Sequence, residues 1–126
     1  MRFIPSRVHA MLDYGAGLVL IALPYLVGFA DGTAAQYVMQ AVGAALLLMS
    51  LCTDYELSAV KLVPLPVHLG ADVAAGLLLV VSPWLFGFAD RVTWPHVVMG
   101  VLEIGAGLTT RAARDDRIAT STGAAA

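Results

Sequence analysis

Apolar positions in this chain fall into long unbroken blocks, not into the alternation of half-buried strands or the one-sided stripes of water-facing helices. The blocks run for about 18 to 22 residues between short polar breaks, the length an α-helix needs to cross a hydrocarbon layer of roughly 30 Å. The pattern predicts four membrane spans, at about Val8 to Phe29, Ala34 to Cys52, Val67 to Phe88 and Pro95 to Thr110. Two of the breaks are tight. Asp31-Gly32 reads as a turn, Thr33 suits the cap of the second helix, and Pro95 suits the first turn of the fourth.

Sliding the chain along itself by 59 positions superimposes polar landmarks as well as apolar blocks. Pro5 falls on Pro64, His9 on His68, Asp13 on Asp72, and Ala16-Gly17-Leu18 on Ala75-Gly76-Leu77. Pro24, Leu26 and Gly28-Phe29-Ala30-Asp31 fall on Pro83, Leu85 and Gly87-Phe88-Ala89-Asp90, and the register is expected to continue ungapped through Val38 and Val42 onto Val97 and Val101. Such self-similarity reads as internal duplication of a helical hairpin. Two crossings per copy send both copies into the bilayer in the same direction, so a pseudo-twofold axis along the membrane normal is expected.

Ser82-Pro83-Trp84 followed by Leu85-Phe86-Gly87-Phe88, late in the first helix of a two-helix repeat, resembles the SPW repeat of small bacterial integral membrane proteins. The resemblance covers about residues 5 to 110. The first copy departs from it, with Leu23-Pro24-Tyr25 in place of Ser-Pro-Trp. The resemblance implies membrane residence and a two-helix repeat; it implies no reaction.

The repeated phrase has a physical reading of its own. Pro24 and Pro83 lie about 24 Å along their helices at 1.5 Å per residue, near the far interface. Each removes the helical donor to the carbonyl four residues back, Leu20 or Leu79, and so bends or ends its helix. Ser82 stands close enough to help rearrange that bonding in the second copy. Tyr25 and Trp84, joined by Trp94, are amphipathic rings at headgroup depth. Gly28 and Gly87 then admit turn conformations that a β-carbon opposes.

Composition reinforces the membrane assignment. The chain has 126 residues, of which 60% are hydrophobic and 13% charged, and its mean hydropathy is +0.83; water-soluble domains carry about a quarter charged residues. A net charge of −2, with no basic stretch interleaved with aromatics, argues against nucleic acid as a partner. Charge placement predicts topology. Arg2, Arg7, Lys61, Arg111, Arg114 and Arg117 lie in the two tails or the central loop, and only Arg91 lies in another loop. By the positive-inside rule both termini and the central loop are expected in the cytoplasm, in a multi-pass protein of the bacterial inner membrane. Cys52 is the single cysteine, so no disulfide can form within the chain.

The sequence therefore predicts an all-α integral membrane four-helix bundle made of two tandem parallel-repeat helical hairpins. One transmembrane domain is expected over residues 1–111, with repeat 1 at about 5–54, repeat 2 at about 64–111, and a disordered cytoplasmic tail over 112–126.

Five ionisable residues fall inside the spans, where they are costly and face the bundle or a wet cavity. His9 and Asp13, and likewise His68 and Asp72, stand four residues apart on one helix face. The plainest expectation is that each aspartate pairs with the histidine one turn before it. A twofold could also gather all four around one axis, as a polar ion site or as ligands for a divalent transition metal. Glu103, set against Ala44 at the same offset, breaks the symmetry and is the first candidate proton carrier if protons move.

Three functional readings follow. The leading one is a non-enzymatic scaffold or accessory subunit without cofactor, surrounded by lipid and acting through helix contacts. Pairs of small residues four apart, Ala71/Ala75, Ala41/Ala45 and Gly105/Thr109, with Gly15, Gly17 and Gly107, favour self-association, a dimer by default, or entry into a larger membrane complex. No phosphate loop, nucleophile elbow or H-E-x-x-H motif supports an enzyme. The alternatives are a proton, ion or small-solute transporter or channel using His9, Asp13, His68, Asp72 and Glu103, and a metal-binding membrane protein.

Overall fold

A computed structural model describes residues 2–54 and 57–110. The predicted tail over 112–126, and Arg111, Arg114 and Arg117, lie outside the described residues. Four helices run in the order α1 Ser6–Val27, α2 Ala34–Cys52, α3 Leu65–Leu85 and α4 Trp94–Thr109.

Prolines set the starts. A residue before proline is pushed out of the α region, and α1 and α3 begin directly after Pro5 and Pro64. Glycines shape the ends. Gly28 takes φ 91° and Gly87 φ 74°, left-handed values that a side chain opposes. Pro24 and Pro83 lie inside their helices, a few residues from the end. The Pro24 carbonyl accepts from the backbone N–H groups of Gly28 and Phe29, and the Pro83 carbonyl from that of Phe88. Thr33 occupies the cap position of α2 without capping it, because its hydroxyl donates instead to Asp31 Oδ1 at 2.6 Å.

Three helices, α1, α2 and α3, are long and apolar enough to cross a membrane. The fourth helix is shorter than these three. It has 16 residues, about 24 Å at 1.5 Å per residue, the length of the span predicted over Pro95 to Thr110. Large apolar side chains such as Leu18, Leu26, Leu48, Leu77 and Leu102 point outward, while His9, Asp13, His68, Asp72, His96 and Glu103 are buried. An apolar exterior around an ionisable interior is the arrangement lipid selects. The chain is a small helical membrane protein.

Packing is closest within each hairpin, α1 on α2 and α3 on α4, and thinner between hairpins. Glycines permit the close crossings. A methyl group on Gly43 would stand 2.9 Å from the Gly17 carbonyl oxygen, and one on Gly100 would stand 2.5 Å from that of Gly76. No atom outside the local backbone lies within 4 Å of the β-position of Gly15 or Gly105, so these two do not serve a crossing.

The crossings also correct the register. Gly17 and Gly76 are 59 positions apart, as the sequence comparison requires, but their partners Gly43 and Gly100 are 57 apart. The same offset of 57 relates Thr53 to Thr110 at the ends of α2 and α4. The expected ungapped continuation through Val38 and Val42 therefore slips by two residues in the second turn. One consequence is local: the position matching Glu103 is Leu46, not Ala44.

One end of the bundle is tied in two places. Ile4 pairs with Thr110 and Thr53 with Val63 as isolated bridges, so each even-numbered helix ends against the segment that leads into the helix of the other hairpin.

Candidate functional site

The buried histidines and aspartates meet just inside this tied end. His9 and Asp13 sit on one face of α1 and His68 and Asp72 on the matching face of α3, each pair separated by one helical turn. Within each helix the expected pairs form: His9 Nε2 lies 3.0 Å from Asp13 Oδ2, and His68 Nε2 lies 3.2 Å from Asp72 Oδ1. The structure adds the crosswise pairs. His9 Nε2 is 3.0 Å from Asp72 Oδ2 and His68 Nε2 is 2.9 Å from Asp13 Oδ2. Asp13 Oδ2 thus faces both imidazoles at once. One ligand-type atom from each of the four residues falls within 4.8 Å of all the others, and the rings stand edge to face at 81° with centroids 5.7 Å apart.

Two threonines complete the arrangement, and sequence reading missed both. His9 Nδ1 bonds Thr110 Oγ1 at 2.6 Å, and His68 Nδ1 bonds Thr53 Oγ1. Each threonine hydroxyl also donates to the carbonyl one turn back, Thr53 to Met49 and Thr110 to Ala106, both at 2.6 Å. A hydroxyl has a single proton. Since that proton goes to the backbone, the oxygen accepts from imidazole, and each histidine carries N–H at Nδ1 with Nε2 turned to the carboxylates. The signal was present in sequence, but at an offset of 57, where an ungapped comparison at 59 does not look.

Glu103 is buried beside this quartet and outside it. Two clefts lead inward from the lipid-facing surface between the hairpins. One, of about 370 Å³ between α2 and α3, is lined by Ala41, Ala45, Ala71, Ala75, Asp72 and Glu103. The other, of about 420 Å³ between α1 and α4, reaches Asp13 and Glu103. Glu103 is common to both.

The residues of the repeated phrase lie toward the opposite end and take no part in the quartet. Pro24 and Pro83 are buried, and Tyr25, Trp84 and Trp94 are exposed on the outer surface. Ser82 Oγ donates to the Leu79 carbonyl at 2.8 Å, the acceptor that Pro83 leaves without its helical N–H. Gly28 and Gly87 make the turns. Between the turns Arg91 Nη2 bonds Asp31 Oδ2 and lies 3.2 Å from Thr33 Oγ1. The Thr33 hydroxyl first, and Arg91 after it, hold the Asp31 carboxyl below the usual carboxylate range.

His96 was also missed. It is buried between Phe29 and Phe88, with ring centroids 5.3 and 4.8 Å away, and its Nε2–H donates to the Ala35 carbonyl at 2.8 Å. It fastens the start of α4 to the start of α2 and has no part in the quartet.

Neither a curated protein nor a solved structure matches the chain. The sequence profile of the SPW repeat domain, in contrast, matches residues 7–110. With that match covering most of the chain, and two helical hairpins each carrying a proline-aromatic step before its turn, the protein belongs to the SPW repeat domain family.

Proposed function

We propose that this membrane protein acts by association and not by catalysis, as a scaffold or accessory subunit that presents helix faces to a second copy or to a larger membrane complex. The observation that carries the reading is the cleft between α2 and α3. Its lining includes the small side chains Ala41, Ala45, Ala71 and Ala75 among larger apolar ones such as Leu46, Met49 and Phe86, and in lipid small residues let helices associate by close van der Waals packing. Placement follows the charges: Arg2, Arg7 and Lys61 lie at the tied end and Arg91 at the other, which supports an inner-membrane protein with both termini cytoplasmic. A homodimer is the default assembly. Ala75→Trp fills the cleft and tests the reading. The expected outcome is loss of the dimer in mild detergent with helicity retained; an unchanged assembly contradicts it.

A second reading has its own observation. Glu103 lines both clefts, facing Asp72 in one and Asp13 in the other, so a polar route for a proton or small ion would pass through it. Liposome flux separates the readings. The scaffold predicts no specific flux from wild type, whereas the transporter predicts flux that Asp13→Asn with Asp72→Asn abolishes.

A further inference from the structure

The quartet brings two imidazole nitrogens and two carboxylates into one buried volume, with the nitrogen roles already fixed. Both Nδ1 atoms donate outward to threonine oxygens whose own protons are committed to Met49 and Ala106. Only Nε2 faces inward. If both Nε2 atoms are bare, four electron-rich atoms converge with nothing positive between them, which a low-dielectric interior does not tolerate. A charge of +2 is required at the centre. Two protons on the histidines supply it, and so does one divalent ion.

We infer that His9, Asp13, His68 and Asp72 form a binding site for one divalent first-row transition ion, with Thr53 and Thr110 as positioning residues. Four features suit the quartet to an ion. The ligand set is N2O2, which suits zinc, iron, manganese or cobalt and, having two imidazoles, not magnesium or calcium. Tetrahedral ligands about 2.0 to 2.1 Å from zinc stand roughly 3.3 Å from one another; the two Nε2 atoms lie 2.9 to 3.2 Å from three carboxylate oxygens, Asp13 Oδ2 and both oxygens of Asp72, and one atom from each residue lies within 4.8 Å of the others. Seating an ion draws the most widely spaced of these atoms together by up to about 1.5 Å. The imidazole planes are nearly perpendicular, so the two rings meet edge to face and do not stack. Each ligating ring nitrogen is backed by a hydrogen bond from the other nitrogen of the same ring, the usual support for a metal-bound histidine.

Among the described residues, the charged groups around the centre are the four ligands from α1 and α3 and Glu103 from α4; α2 leads into the neutral Thr53. Binding forms four coordinate bonds and releases to solvent whatever protons the two Nε2 atoms held. No oxidant or reductant is involved. The ion would join the two hairpins at their tied end, independently of whether the outer faces bind a partner.

The test uses the full chain in detergent micelles, stripped with chelator and reloaded with Zn2+ or Co2+. Wild type is expected to bind one Zn2+ per chain, and Co2+ to give the intense visible absorption of a tetrahedral site. Asp72→Asn is expected to lose that spectrum. Thr53→Val with Thr110→Val, which leaves all four ligands in place, is expected to weaken Zn2+ binding by about 10- to 100-fold and to shift the Co2+ bands. Substoichiometric Zn2+ and no tetrahedral Co2+ spectrum in folded wild type overturn the assignment. So does an Asp72→Asn protein that binds as wild type does. Should Asp72→Asn fail to fold, the wild-type spectrum and stoichiometry decide alone.

Discussion

The two hairpins share a framework and differ in what fills it. Both start at a proline, place histidine and aspartate one turn apart, cross at paired glycines, pass through a buried proline and end their second helix in a threonine that bonds the other hairpin's histidine. The differences run both ways. Ser6, Gln40 and Ser50 of the first hairpin stand where the second has Leu65, Val97 and Gly107, and Leu23, Met39 and Leu46 stand where the second has Ser82, His96 and Glu103. Polar groups without a counterpart find local solutions: Gln40 donates to the Ile21 carbonyl. Ser82 finds the Leu79 carbonyl and His96 the Ala35 carbonyl, while Glu103 lies where the two clefts meet. What is common builds the clasp between hairpins, and Glu103, peculiar to the second, lies beside it.

Breaking the shared framework is expected to do the most damage, and equally in both halves. Asp13→Ala and Asp72→Ala each leave two buried histidines facing a gap, a loss of about 3–5 kcal/mol when one partner of a buried pair is removed. Chemical unfolding in detergent checks it; strongly unequal losses would show that the halves are not equivalent. Next comes Gly100→Ala, where the new methyl meets the Gly76 carbonyl and the Val80 backbone and costs about 1–3 kcal/mol by overpacking. Gly105→Ala, in open space, is its control and should be neutral or slightly stabilising by helix propensity.

Making the second hairpin resemble the first sharpens the comparison. Glu103→Leu installs the residue at the matching position, Leu46, and removes a buried carboxyl, so stability is expected to rise by about 1–3 kcal/mol. A fall would mean that Glu103 is firmly paired in the bundle. The smallest effect belongs to Arg91→Gln at the exposed turn pair with Asp31, a shift near measurement error that salt removes. Because the folded Asp31 carboxyl lies below its usual range, whatever it contributes is present above the ordinary carboxylate pKa. It is lost as pH falls through the folded value, and a pH series at low salt checks that direction.

Much of the fold was legible because lipid makes the sequence signal simple: long apolar blocks and glycine turns mark the helices directly, α4 included. The starts of α1 and α3 were less legible, since the apolar blocks begin at Val8 and Val67 while the helices begin at Ser6 and Leu65, directly after Pro5 and Pro64. For the site, His9, Asp13, His68 and Asp72 stood out by recurrence. Their crosswise pairing did not, because four-residue spacing reports only contacts within one helix. Thr53 and Thr110 were hidden by the two-residue slip between offsets of 59 and 57. His96 has no counterpart in the first hairpin, so recurrence could not reveal it.

The clasp across hairpins is tested most directly by a double-mutant cycle on His9→Gln and Asp72→Asn, read as unfolding free energy in the same detergent. Contact between these residues predicts strong non-additivity, with the double variant losing at least about 1 kcal/mol less than the two single losses together. Strict additivity would mean that each histidine serves only the aspartate on its own helix, and the shared centre would not exist.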